Sequence, residues 1–521
     1  MWLINTETLR LESVVNPETV EYAILSHTWE EEEVSFQEFQ NLGFARTRKG
    51  FAKIEMTCLF AKSQGYRYAW VDTCCIDKSS SAELSEAINS MFRWYKDAQY
   101  CYAYLSDHHR TTVDSSFGRC RWFTRGWTLQ ELIAPRFLTF YNRDWESLGS
   151  KIELHEAISK ITSIGSDVLL GQRDVRTIDV VYRMSWAAGR ETTRAEDIAY
   201  CLFGIFDVNL PMLYGEGSKA FLRLQEEICQ RVADFTLFAW KTDADEGAEI
   251  RGIFARSPNE FAYASSRGFM YGLYSGDMRV SNRGVIFDDM ELLAIKGKGL
   301  FMPLNLFNDM PDSAGEQGGI FLEKIPDGYA RVKTDQLFQT KLDELDELEG
   351  RWLPPEQINV IAWGSERTYL TSHMIHVSTS GPFSIVNVCP RRQWDPYRET
   401  FIHTTYGMVE LDVDLGNGQS CPVLVLFGLM GAEAVLQYDI VGGKWASWSN
   451  AMASIGKADI RQMASKELAV HFYERGQVNL GEGTWVHRLT NASIAIHVQV
   501  KKIEDCWQVR LSRPSGPWPF N

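Results

Sequence analysis

The sequence predicts an α/β domain at its amino end, continued by a helical extension and followed by an all-β, mainly antiparallel domain. Three observations carry this reading. Over residues 1–145 short β-branched or aromatic runs alternate with helical periodicity, the pattern of βα units that build a parallel sheet. Between Ser150 and Ala233 the strand signals vanish and helical segments follow one another. After Asp234 short alternating segments are separated by Gly, Asn, Asp and Pro, as in an antiparallel sandwich or barrel. The expected division is 1–145 for the α/β core, 146–234 for the helical extension and 235–521 for a sandwich-like β domain.

In chain order, residues 22–26, 68–72, 100–105 and 137–141 read as four strands. Between the second and third, residues 80–98 place Leu84, Ile88, Met91, Tyr95 and Ala98 on one helical face, with a Ser80…Glu83 capping box at the start. Residues 123–134 have a helical pattern that Pro135 stops. In the extension, a second capping box at Ser150…Glu153, the stretch Met184-Ser185-Trp186, residues 195–206 and residues 217–232 predict further helices. Residues 278–287 and 492–500 alternate as strands, and the charged stretch 340–350 is expected as a surface helix or loop insertion. No repeat of propeller or solenoid length is visible.

Composition narrows the function. With 521 residues, 45% hydrophobic and 23% charged, the chain can bury a sizeable core in several units. Its net charge is -15, and the acidic excess is even, with 26 basic against 33 acidic residues before Lys241 and 27 against 35 from there on. Without a basic arm or stripe, nucleic acid is a poor partner. No basic segment followed by an apolar run opens the chain, and no apolar run approaches the 18 or so residues that span a bilayer, so a cytoplasmic protein without a membrane span is expected. The ten cysteines include no C-x-x-C, and His27, His108 and His109 have no companions at metal spacing, so neither a metal nor a required cofactor is expected. Phosphate-binding loops, serine elbows and kinase motifs are missing.

What remains is a set of blocks at the carboxyl ends of predicted strands, where open α/β sheets bind ligands. They are Leu25-Ser26-His27-Thr28-Trp29, Trp70-Val71-Asp72-Thr73-Cys74-Cys75-Ile76-Asp77-Lys78, and Arg125-Gly126-Trp127-Thr128-Leu129-Gln130-Glu131-Leu132-Ile133-Ala134-Pro135. Together with Arg194-Ala195-Glu196-Asp197-Ile198-Ala199-Tyr200-Cys201-Leu202-Phe203-Gly204-Ile205-Phe206 and Leu213-Tyr214-Gly215-Glu216-Gly217, and with Tyr22-Ala23-Ile24 leading into the first, these blocks resemble, in order, those of the fungal HET (heterokaryon incompatibility) domain. The resemblance covers about residues 1–232. It implies a part in non-self recognition ending in regulated cell death, with self-association on activation and a protein trigger acting through the C-terminal region. HET domains are in turn similar to TIR domains, which have a flavodoxin-like sheet and cleave NAD at the nicotinamide–ribose bond with a glutamate. Trp127-Thr128-Leu129-Gln130-Glu131-Leu132 matches that glutamate motif with Thr128 in place of a cysteine, which puts Glu131 at the catalytic position and makes NAD, or a related nucleotide, the implied substrate.

The residues make the same case physically. Trp127 and Glu131, four apart, share a helical face, with Gln130 beside them and Arg125 close by. A carboxylate there can hold a ribose diol and stabilise the positive charge that develops as a glycosidic bond breaks. Trp29 or Trp127 can stack on a ring, and Ser26 and His27 can line the same crevice. Asp72 and Asp77 either contact ligand or cap the turn after a strand. Cys74 and Cys75 read as packing residues, and Trp70, Trp94 and Trp122 as core. The alternative for Glu131 is a solvated carboxylate on an ordinary helix. The alternative for the protein is a non-enzymatic signalling or assembly module controlled by its β domain.

Overall fold

The computed structural model describes residues 1–243, 250–266, 269–271, 276–295, 298–308, 316–325, 328–341, 350–362, 374–381, 383–389, 394–395, 399–402, 406–414, 420–430, 435–441, 479–480, 483–489, 494–503 and 506–512. The charged stretch expected at 340–350 falls outside these between 342 and 349, and its two ends belong to the strands Phe338–Lys341 and Gly350–Trp352.

The amino end forms a seven-stranded sheet from β1 (Trp2–Asn5), β2 (Leu11–Ser13), β3 (Tyr22–His27), β4 (Tyr68–Trp70), β5 (Tyr100–Tyr104), β6 (Leu138–Tyr141) and β7 (Ser147–Ser150), in the order β2-β1-β4-β3-β5-β6-β7. The inner four are the four strands expected from the sequence and run parallel, with Tyr22 opposite Tyr68, Ala23 opposite Tyr100 and Cys101 opposite Leu138. Every residue of β3 and β6 is buried, as in a parallel sheet covered on both faces. The antiparallel strands β1, β2 and β7 were not expected. They are three or four residues long, too short for alternation to register. From β3 the chain passes to β4 on one side and then returns to β5 on the other, which makes the carboxyl end of β3 a topological switch point.

The helix Ser81–Asp97 has its expected cap, the Ser80 side chain accepting from the Glu83 N–H, although the Glu83 carboxylate reaches the Asp77 N–H at 3.0 Å and not that of Ser80. It buries Ala87, Ile88, Met91, Trp94 and Tyr95, and two tyrosine hydroxyls tie it to β3: Tyr22 donates to the Trp94 carbonyl at 2.6 Å and Tyr95 to the Leu25 carbonyl at 3.0 Å. The helix expected at 123–134 is instead two, Arg121–Thr124 and Thr128–Ile133. Arg125 between them is extended and pairs with Glu191, whose N–H donates to the Thr124 carbonyl at 2.6 Å and whose carbonyl accepts from Gly126 at 2.9 Å. The helix expected at 195–206 is likewise two short ones, Asp197–Tyr200 and Phe203–Phe206, while Lys219–Arg231 matches its prediction closely. The Ser150…Glu153 box forms, yet the helix behind it begins only at His155.

Beyond Asp234 the chain is β-rich and mainly antiparallel, with parallel pairings of Tyr329 with Val360 and of Met374–Thr379 with Cys506–Ser512. A ten-stranded sheet comes first, and then sheets of six and five strands that share an apolar cluster containing Ile375, Val377, Val409, Leu411, Val425 and Val509. Packing does not stop at the 234/235 junction. One hydrophobic cluster runs from Leu3 and Trp70 through Phe221, Phe238 and Trp240 to Phe287, Met302 and Val360. Asp234 and Thr236 accept from the Val180 and Val181 N–H groups, and Arg331 of the ten-stranded sheet donates to the Phe238 and Trp240 carbonyls. Among the described residues no helix is long and apolar enough to cross a membrane.

Candidate functional site

At the switch point, Ser26 lies one residue from the end of β3 and is fully buried. Its Oγ donates to Glu131 Oε2 at 2.5 Å and accepts from Trp122 Nε1 at 2.8 Å. Glu131 sits on the helix Thr128–Ile133, all six residues of which are buried. The solvated carboxylate is thereby overturned, since Glu131 is 5% exposed. Burial pushes its carboxyl up to about 8, aided by the negative charge of Asp72 and opposed by the Ser26 hydroxyl, by Tyr95 and by the Arg125 charge. Such a group exchanges a proton near neutrality, and an arriving cationic centre would favour its ionised form.

A second group adjoins the first. Asp72 accepts from Trp29 Nε1 at 2.7 Å through one oxygen and lies 3.0 Å from His27 Nε2 through the other. Burial acts to raise the Asp72 carboxyl, but the His27 hydrogen bond and charge, Lys78 and the Trp29 N–H outweigh it and hold the carboxyl at about 2. Asp72 therefore aims Trp29, which keeps 51% of its surface exposed and carries the Lys78 ammonium 3.7 Å from its ring centre.

The other sequence candidates separate. Trp127 begins the Glu131 helix and acts to lower the Asp197 carboxyl, while Arg125 donates to Thr193 at 3.1 Å and acts on Glu131 only through its charge. Gln130 is buried, and its Nε2 finds no acceptor among the described residues. Asp77 stands apart and takes the turn-capping alternative, accepting from the Ser79 N–H at 2.9 Å and from Gln37 at 2.6 Å. Cys74 and Cys75 are buried packing residues, as are Trp70 and Trp94. The sequence reading missed the roles of Trp122, Tyr95, Lys78 and Arg190. Trp122 was rightly placed in the core, but burial alone does not reveal where its N–H points. Arg190, buried, anchors the helix start by donating to the Arg125 carbonyl at 2.8 Å and Thr128 Oγ1 at 3.2 Å. Among the described residues no group of three or more His, Cys, Asp or Glu converges to hold a metal.

Residues 22–117, from β3 through β5 and beyond, match the family model described as Heterokaryon incompatibility protein (HET). The chain carries a HET domain. A match to a domain of unknown function (DUF8212) takes in residues 219–265, across the 234/235 junction. The Vegetative incompatibility protein HET-E-1 of Podospora anserina is 49% identical over 218 residues, which make up 40% of this chain and 16% of that protein. The chain thus spans only a small part of the relative's length. No solved structure matches.

The matched HET segment supplies Ser26, His27, Trp29 and Asp72, and Glu131 lies beyond it. The two later sequence blocks interlock beside the HET segment. Glu196 accepts from the Gly215 and Gly217 N–H groups at 2.8 and 3.0 Å, Tyr200 donates to Glu216 at 3.0 Å, and Tyr214 donates to Asp197, the carboxyl that Trp127 acts on, at 3.0 Å. Both blocks therefore act as a brace behind the Trp127 end of the Glu131 helix.

Proposed function

We propose that this protein acts in heterokaryon incompatibility, and that its N-terminal domain is a TIR-like NAD glycohydrolase with Glu131 as the catalytic carboxylate. The observation that carries the reading is the placement of Glu131, buried at the carboxyl end of β3 and hydrogen-bonded to Ser26. The strand order β4-β3-β5-β6 supports it, since it is that of the first four strands of a flavodoxin-like sheet. In the reaction water adds to the ribose carbon and gives up a proton to solvent, and nicotinamide leaves with the electrons of the broken bond. The Glu131 carboxylate faces the positive charge that builds on the ribose, and Trp29 offers its open ring to a base. Self-association and the C-terminal β region would govern when this site operates.

Purified full-length protein mixed with NAD, as monomer and as induced oligomer, tests the reading. Nicotinamide release is expected, and Glu131→Gln should lower it by about 100-fold or more while the fold is retained. Equal release from the variant, or none from the wild type in any assembly state, overturns it. One observation favours a second reading, a non-enzymatic assembly module: the Glu131 carboxyl is closed off from solvent. That reading predicts oligomers without nicotinamide release.

A further inference from the structure

We propose that Trp122 is a positioning residue: its indole N–H fixes the direction of the Ser26 hydroxyl, and through it the proton state of Glu131. An indole N–H can only donate and an ionised carboxylate can only accept, so once Glu131 gives up its proton the hydroxyl between them has one consistent orientation. Ser26 Oγ takes the Trp122 N–H at 2.8 Å and sends its own proton to Glu131 Oε2 at 2.5 Å. No other hydrogen bond to this hydroxyl occurs among the described residues. Each bond in such a file polarises the next, so the Trp122 N–H strengthens the Ser26 donation that favours ionised Glu131.

Two features hold the file in place. The Trp122 ring is 1% exposed and set edge-on to Phe123 and Phe140 at 5.1 and 5.3 Å, so its N–H cannot swing away. The Tyr95 hydroxyl proton goes to the Leu25 carbonyl at 3.0 Å, the carbonyl just before Ser26, so Tyr95 acts on Glu131 from beside the file and not through the Ser26 hydroxyl. The titratable and charged groups that face Glu131 are Asp72, Tyr95, Arg125, Cys101 and Arg190. None of these hydrogen-bonds Ser26.

This inference deepens the proposed reading, because it concerns the same carboxylate, but its test reads protonation and not turnover. The Glu131 midpoint is obtained from the pH dependence of the melting temperature of the full chain, taken as the difference from Glu131→Gln. Trp122→Phe should raise that midpoint by about half a pH unit or more, and Ser26→Ala should raise it further. In a Ser26→Ala background, Trp122→Phe should add nothing, because the file is already cut. A melting temperature lowered evenly at all pH values, or the same shift with and without Ser26, overturns the proposal.

Should Trp122→Phe fail to fold, nitrogen-15 tryptophan spectra of the wild type decide. The Trp122 indole signal should move with the Glu131 midpoint and stay still in Glu131→Gln, and a signal indifferent to pH in the wild type overturns the relay. Nicotinamide release measured on the same samples separates the two claims. A working relay without release leaves the relay standing and removes the glycohydrolase, and release without midpoint coupling does the reverse.

Discussion

Glu131 and Asp72 are carboxyls near enough to feel each other, and their surroundings drive them apart, to about 8 and about 2. The consequences for stability have opposite signs. Glu131, raised from an ordinary 4.5, contributes most below that value, and its contribution is lost as pH rises through about 8. Asp72, lowered from 3.8, contributes above that value and loses its contribution as pH falls through about 2. Glu131→Gln should therefore stabilise the fold on the order of 2–4 kcal/mol at pH 8.5 and hardly at all at pH 4, as read by urea unfolding. A gain equal at both pH values would show that Glu131 ionises as if exposed. At this scale the sequence was half legible. Position at the carboxyl ends of predicted strands and the resemblance to HET and TIR blocks singled out Glu131, Ser26, Trp29 and Asp72, but the burial of Glu131 was hidden, because periodicity along a short segment cannot tell whether both faces of a helix are covered.

The break between the two helices of residues 121–133 sets where Glu131 points. Its cause is Glu191, which holds Arg125 extended, and Gly126 makes the close approach possible. A Cβ on Gly126 would lie 2.5 Å from Thr192 Cγ2 and 3.1 Å from Cys201 Sγ. Gly126→Ala is thus expected to cost about 1–3 kcal/mol and to tilt the Glu131 helix away from Ser26, visible as a lower urea midpoint together with a shifted Glu131 titration. If the stability falls but the titration is unmoved, the bridge does not aim the helix. The parallel strands and the Ser81–Asp97 helix were readable because their signals are local, an apolar run or a capped stripe. The break at Arg125 was not, since the residue responsible lies in a distant part of the chain. The edge strands β1, β2 and β7 draw their order from neighbours they pair with, and three or four residues carry too little pattern to announce it.

On the scale of the whole molecule, the apolar cluster that crosses 234/235 decides where the chain can be divided. The helices Val180–Ser185 and Lys219–Arg231 are capped and covered by residues downstream of both, through Asp234, Thr236 and the pair of Gln225 with Ala255 at 2.9 and 3.0 Å. A fragment ending at residue 234 should expose apolar surface, bind a hydrophobic dye and melt without a sharp transition. One ending at residue 362, which keeps the ten-stranded sheet and drops the separate cluster around Val377 and Val509, should melt cooperatively. If the shorter fragment melts as sharply as the longer, the cluster is not one cooperative unit. The same seam constrains inheritance. A gene that borrowed only the first 234 codons would deliver a domain with one side uncovered, so a recombination joint that keeps the ten-stranded sheet is the tolerated one. A protein that joins similar N-terminal residues to an unrelated remainder must bring a substitute cover of its own.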